Sequence, residues 1–189
     1  FAQVAQKVLA SNIDALRETH SLLKRENFEK VIECFRRAKR ICFYGVGTSM
    51  TTAMKAADKF LKIEPKVYCV PDSHMQAMMA STMSSGEVAV IFSYSGATKD
   101  TIHVAQLARQ AGAAIVCVTR FIKSPLTAYA DLTLLCGANE SPLQAGSSSA
   151  EISQLFLIDM LYTEYYRTYY DRCSVNNEKT SASVMEKLC

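Results

Sequence analysis

The sequence predicts an α/β fold in which helices cover both faces of a parallel sheet of five strands. Five apolar runs have the composition of buried strands, and segments with apolar residues at helical spacing separate most of them. This alternation is typical of βα units, which build parallel sheets. The 189 residues, 49% of them hydrophobic and 21% charged, are enough for one well-buried domain and short for two.

The first half of the chain predicts two leading helices and then three βα units. Val4, Val8, Leu9, Ile13 and Leu16 recur at helical spacing, and a second helix is predicted over 28–39. The first three strands are "RICFYGVG", "KVYCV" and "EVAVIFS". The helices that follow them are predicted over 48–61, from the capping residues at 72–73 through 83, and over 98–110.

The second half predicts two more strands and two closing helices. The strands are "AAIVCVT" and "ADLTLLCG", and between them "KSPLTAY" predicts one helical turn with Ser124 as its cap and Pro125 in the first position. Residues 136–149 are predicted to form a loop beside the functional site. A long helix over 149–170 and a shorter one over 177–188 end the chain.

The composition argues against several classes of function. The net charge of +3 is mild, and glutamates interrupt the basic segment 24–40, which favours a solvated helix face over a nucleic-acid surface. None of the seven cysteines forms a Cys-x-x-Cys pair, and most lie in apolar runs, so we expect a reducing cytoplasm, no metal site and no cofactor. No apolar run reaches the roughly 18 residues that span a bilayer, so no membrane partner is expected.

Two turns rich in glycine and hydroxyl side chains follow strand-like runs. The first is "GVGTS", Gly45 to Ser49, and the second is "SYSGAT", Ser93 to Thr98. Ligands of open parallel sheets bind at the carboxyl ends of the strands, and a helix N-terminus there stabilises an anion. Glycines such as Gly47 and Gly96 let the backbone turn tightly or approach a ligand. The sequence therefore predicts a phosphate site at this edge.

Three other interpretations of these turns are a helix cap, a dinucleotide site and a Walker-type phosphate loop. Ser95 and Thr98 could merely cap the following helix, as serine and threonine do in many proteins. A dinucleotide site is disfavoured because Met50 stands where G-x-G-x-x-G requires its third glycine. A Walker-type phosphate loop is also disfavoured, since the sequence has no Gly-Lys-Ser/Thr.

The order "GVGTS", "SYSGAT" and "KSPLTAYAD" resembles the sugar isomerase (SIS) domain family over about 40–166. The segment "DSHMQAMMAS", Asp72 to Ser81, is similar to the SIS domains of RpiR-type transcriptional regulators. The resemblance implies a three-layer αβα sandwich with a flavodoxin-like five-stranded sheet, assembled as a homodimer or homotetramer. It also implies that Ser93, Ser95 and Thr98 contact the phosphate, with Ser49 near the sugar.

The resemblance further implies a sensor of a phosphorylated sugar or amino sugar. RpiR-type regulators carry a helix-turn-helix domain before the SIS domain, and this chain opens on Phe1 inside a helical pattern. We therefore expect 1–39 to be helices leading from a missing DNA-binding domain and 40–189 to be the phosphosugar-binding domain. Operator DNA would be contacted only through that missing domain.

A single-domain aldose–ketose isomerase is the alternative function. Isomerisation needs a base to move a proton, and in SIS isomerases a glutamate near the start of the helix after the last strand supplies it. Glu151 stands close to that place, but Ser148-x-x-Glu151 also fits a capping box. His74, at the start of a helix, and Ser149 are further candidates for contact with the sugar.

Overall fold

The computed structural model describes residues 1–137, 148–185 and 187, and its sheet confirms the predicted fold class. All five strands are parallel, in the order β2-β1-β3-β4-β5. Their bounds are β1 Ile41–Tyr44, β2 Val67–Cys69, β3 Val88–Phe92, β4 Ala114–Thr119 and β5 Leu132–Leu135. The three central strands are almost wholly buried, which is why they appear in the sequence as continuous apolar runs.

Helices connect the strands and close both ends of the chain. Their bounds are α1 Ala2–Ser21, α2 Arg25–Arg37, α3 Thr48–Leu61, α4 Ser73–Ser81, α5 Lys99–Gln110, α6 Ser148–Thr168 and α7 Tyr170–Met185. A short 3-10 helix, Thr127–Tyr129, lies between β4 and β5, and the Ser124 hydroxyl accepts a hydrogen bond from the Thr127 N–H at 3.3 Å. Most of the loop predicted over 136–149 lies outside the described residues.

The prediction for the last helix is wrong at its start, because α7 begins at Tyr170 and not near 177. The segment is polar, and its apolar periodicity is too weak to show the helix. Long-range contacts hold it: Cys173 enters the core, the Arg172 guanidinium pairs with the buried Glu64 at 2.8 Å, and the Asn176 amide donates to Ile63 O at 2.9 Å.

Two hydrophobic clusters, one on each face of the sheet, form the core. On one face Val88, Val90 and Phe92 of β3 pack with α2, α3 and α6. On the other face Ala89 and Ile91 pack with α4 and α5. Because alternate residues of a strand point to opposite faces, a continuous apolar run supplies both clusters. Helix α2 thus contributes its apolar face to the main core, whereas its opposite face carries paired charges as the sequence predicted.

Helix α1 lies across the carboxyl edge of the sheet and contacts the segments that follow β4 and β5. Glu18 forms a salt bridge with Arg120 at 2.6 Å, and Thr19 Oγ1 accepts a hydrogen bond from Gly137 N at 2.8 Å. The first ten residues of α1 are exposed, including Val4 and Val8. Only the second half of α1 therefore belongs to the packed body of this chain.

No described helix combines the length and the apolar composition needed to cross a bilayer.

Candidate functional site

The turn after β1 is built by close approach of its backbone to the first turn of α3. A Cβ on Gly45 would overlap the carbonyl oxygen of Ser49 and lie 2.9 Å from Met50 N. Gly47 is the N-cap of α3 and has φ +59°, a conformation that side chains disfavour. Ser49 is half-buried in the first turn of α3. The two glycines are thus explained by the tight entry into the helix.

The turn after β3 holds a hydroxyl group that is buried and unpartnered. Ser93 is 2% exposed, and its Oγ has no hydrogen-bond partner. Ser95 is exposed, and its Oγ accepts a hydrogen bond from Ala97 N at 3.2 Å, which leaves its own proton free to be donated. Thr98 is the N-cap of α5, but its side chain makes no capping hydrogen bond. The capping alternative therefore does not account for these hydroxyls.

Gly96 is required by packing against the loop after β4. It has φ +62°, and a Cβ at this position would overlap Ser124 Oγ and lie 2.6 Å from Ser124 Cβ. Its N–H donates to Ser93 O at 3.2 Å, and its carbonyl oxygen accepts from Leu126 N at 3.0 Å. The backbone amide of Gly96 is therefore engaged within the turn, and the glycine is explained without a ligand.

Both turns lie at the same edge of the sheet and on neighbouring strands. Strands β1 and β3 are paired, with Tyr44 opposite Ile91 at their last shared register position. From β1 the chain continues to β2 on one side of the sheet, and from β3 it continues to β4 on the other side. The gap between the two turns is therefore the point where the topology switches direction, which is where open parallel sheets bind ligands. The N-termini of α3 and α5 begin there, and their unpaired N–H groups favour an anion.

The remaining predicted residues lie at this edge with different surroundings. His74 is exposed in the first turn of α4, where the Asp72 side chain accepts from Met75 N at 2.9 Å. Ser149 instead contacts α1: its Oγ lies 3.0 Å from Ser11 Oγ and donates to Asn12 Oδ1 at 3.1 Å. Glu151 is half-buried in the first turn of α6.

Two features of the site were not predicted from the sequence. The side chain of Gln76, on α4, is 1% exposed and donates a hydrogen bond to Gly45 O at 2.9 Å. This bond connects α4 to the turn after β1. Tyr94 packs against Ala15 of α1 and Ala150 of α6, so both helices lie beside the turn after β3.

A cavity of about 500 Å³ adjoins this part of α1 and is lined by Ser11, Asp14, Ala15 and Glu18. Helical periodicity carries no signal for contacts between elements so far apart in the chain.

The ionisable groups buried beneath the site stay neutral at physiological pH. Burial raises the pKa of the Cys42 thiol to about 11 and also raises the pKa of Tyr44, whose hydroxyl lies 3.4 Å from the Met83 sulfur. Within the described residues, no group of histidine, cysteine and carboxylate side chains could hold a metal ion. The site therefore offers hydroxyl and amide donors rather than a buried charge.

Comparison with known proteins agrees with this geometry. A family model described as the SIS domain matches residues 34–164. An uncharacterized HTH-type transcriptional regulator of Haemophilus influenzae is 33% identical over 97% of this chain, and the Escherichia coli regulator RpiR is 30% identical over 96%. The chain spans 64% and 61% of the length of these two relatives. The structure of Vibrio vulnificus NanR complexed with ManNAc-6P superposes with a TM-score of 0.93 at 27% identity, covering 98% of this chain and 70% of that one.

Proposed function

We propose, since the chain belongs to the SIS domain family, that it is the effector-binding domain of an RpiR-type transcriptional regulator and that its effector is a phosphorylated sugar or amino sugar. The relatives named above are regulators, and the related NanR protein carries a phosphorylated amino sugar. By this proposal residues 40–189 form the sensing domain, and operator DNA is contacted by a helix-turn-helix domain outside this chain. A homodimer or homotetramer in the cytoplasm is part of the same proposal.

The observation that carries the proposal is the unpartnered hydroxyl of Ser93. A buried donor without an acceptor costs folding free energy, about 1–3 kcal/mol, so its presence calls for an explanation. A phosphate oxygen at the head of α5 would supply the acceptor, and the free protons of the Ser95 and Thr98 hydroxyls would complete a set of neutral donors. The positive end of the α5 dipole adds to the preference for an anion.

The rest of the predicted site follows from this placement of the phosphate. Ser49, in the first turn of α3, follows β1, which pairs with β3, and His74, in the first turn of α4, follows β2 on the far side of β1. We assign Ser49 and His74 to contacts with the hydroxyl groups of the sugar. Gly47 and Gly96 are assigned a supporting role, because each permits the backbone of its turn.

Sensing is favoured over catalysis. Isomerisation needs a base placed to move a proton at neutral pH. The relatives named above are transcriptional regulators, which favours sensing for this chain as well. Glu151 is the one candidate base that sequence reasoning offered, and its place in the first turn of α6 suits a residue that complements the helix dipole.

The test is a thermal-shift and calorimetric screen of sugar phosphates, each paired with its dephosphorylated sugar. N-acetylmannosamine 6-phosphate and the common hexose and pentose phosphates form the panel. One phosphosugar should raise the melting temperature while its unphosphorylated partner does not; at about 100 times its Kd the stabilisation is about 2.7 kcal/mol. Ser93→Ala should weaken its binding about ten- to a hundredfold, because a hydrogen bond to a charged group is lost.

The matched control is Ser85→Ala, which removes an exposed hydroxyl at the opposite end of β3. Its affinity should equal that of the wild type. Equal shifts with phosphorylated and unphosphorylated sugars, or unchanged affinity in Ser93→Ala, would contradict the phosphate assignment.

A separate assay addresses the isomerase alternative. The panel is incubated with the protein and analysed for aldose–ketose exchange. We expect no turnover in the wild type. Turnover that disappears in Glu151→Gln would establish the enzyme and overturn the sensor assignment.

A further inference from the structure

A second buried donor without a partner lies in α6. The side chain of Gln154 is 2% exposed, and its Nε2 makes no hydrogen bond. Its neighbour Ser153 is satisfied, because its single hydroxyl proton has two carbonyl acceptors within reach, Gly137 O and Ser149 O. Gln76, the other buried glutamine of the described chain, is satisfied as well, with Gly45 O at 2.9 Å. Gln154 therefore stands out among the buried side-chain amides.

The contacts of α6 locate this amide at the carboxyl edge of the sheet. One turn before Gln154, Ala150 packs against Tyr94, which directly follows Ser93 in the β3 turn. One turn after it, Leu157 and Ile158 enter the core cluster that contains Phe92, the last residue of β3. Gln154 is on the same buried face of α6, between Ala150 and Leu157.

The direction of helical side chains brings the amide closer to the candidate site. Side chains of an α-helix lean toward its N-terminus, over the preceding turn. For α6 the N-terminus is the end that meets Tyr94 and α1 at the carboxyl edge. The long side chain of Gln154 thus extends away from the core around Leu157 and toward Ala150, which contacts the turn after β3.

We propose that Gln154 is a specificity-determining residue whose amide donates a hydrogen bond to an oxygen of the sugar part of the effector. This inference rests on the proposed function, in which the phosphate occupies the β3 turn. The amide offers two N–H donors, so the matching group is a hydroxyl or carbonyl oxygen of the sugar. In the ligand-free protein the unpaired amide lowers stability, and binding recovers that loss. Gln154 and Ser93 then hold opposite ends of one ligand.

The experiment uses Gln154→Met, which keeps the length of the side chain and removes its polar atoms. A structural glutamine would lower the melting temperature when replaced in this way. The unpaired amide predicts the opposite: the ligand-free variant should melt at the wild-type temperature or about 2–4 °C higher. Gln76→Met is the matched control, and it should melt at a lower temperature because Gly45 O loses its donor.

Binding is then measured by calorimetry with the best phosphosugar of the panel and with inorganic phosphate. Gln154→Met should weaken phosphosugar binding at least about fivefold and leave the affinity for inorganic phosphate unchanged. Ser93→Ala should weaken both. Gln154→Met that binds the phosphosugar as tightly as the wild type overturns this inference alone. A wild-type protein that binds no phosphosugar overturns the proposed function, and this inference with it.

Discussion

Replacing Gly96 by alanine is expected to destabilise the protein strongly, because two separate costs arise at this position. The first is conformational: φ is +62°, and left-handed backbone costs a residue with a Cβ about 1–2 kcal/mol. The second is steric, since the new Cβ would overlap Ser124 Oγ and lie 2.6 Å from Ser124 Cβ. Relieving such an overlap in a packed region typically costs about 1–3 kcal/mol. The free energy of unfolding should therefore fall by about 2–5 kcal/mol.

Two further variants separate these costs. Gly47→Ala at φ +59° has open space around the new Cβ, so only the backbone cost applies there, about 1–2 kcal/mol. Ser124→Gly removes the two atoms that the Gly96→Ala methyl would overlap and leaves Thr119 Oγ1 at 3.2 Å. In the double variant most of the steric loss of unfolding free energy should therefore be recovered. The coupling energy between the two sites should be about 1–3 kcal/mol in favour of the double variant.

The measurement is urea unfolding followed by circular dichroism on the four proteins of the Gly96 and Ser124 cycle, with Gly47→Ala alongside. The slope of the unfolding free energy against urea concentration must be the same for all variants before their unfolding midpoints are compared. A coupling energy near zero would show that Ser124 does not restrict residue 96. A Gly96→Ala variant no less stable than Gly47→Ala would refute the packing explanation for this glycine.

Three further predictions concern buried or paired side chains. Tyr165→Phe removes the hydroxyl that donates to the buried Glu64 carboxylate at 2.5 Å, and it should lower the free energy of unfolding by about 1.5–3 kcal/mol, whereas Tyr170→Phe at an exposed position should change it little. Burial raises the pKa of Cys117 to about 12, so Cys117→Ala should lower the count of thiols reacting at pH 8 only in denaturant; a lower native count would contradict this. Hydrogen bonds from arginine lower the pKa of Glu33 to about 2, below its unfolded value, so its stabilisation is present above about pH 4.3 and is lost as the pH falls toward 2. Glu33→Gln should therefore flatten the acid limb of the stability curve, and parallel curves would contradict the assignment.

Some residues of the candidate site could be predicted from local sequence, and others depend on contacts between distant segments. Ser93, Ser95 and Thr98 were predicted because a strand end, a glycine and a helix start follow one another within ten residues, and each leaves a local pattern. Gln154 and Gln76 were missed, because a buried amide leaves no trace in periodicity. Only the packed structure shows that one is satisfied and the other is not.

Gly96 shows a limit of a different kind. The sequence correctly indicated that residue 96 must be glycine, and a ligand that approaches the backbone was a sound reason for it. The structure gives another reason, since Ser124 occupies the space that a side chain would need. Residues 28 positions apart in the chain make this contact, with α5 and β4 between them, and no local sequence pattern predicts it.

By itself the sequence determined the α/β class, the five parallel strands and the SIS resemblance, and it predicted a phosphate site at the carboxyl edge of the sheet. These follow from patterns that span a few residues: apolar runs buried on both faces, helix starts with hydroxyls, and glycines at strand ends. The tertiary structure decided which hydroxyl is left without a partner, that α1 lies across the carboxyl edge through Glu18 and Arg120, and that α7 begins at Tyr170. The physical reason is that burial and hydrogen-bond satisfaction are properties of contacts between distant segments, and these exist only once the sheet and its helices have packed.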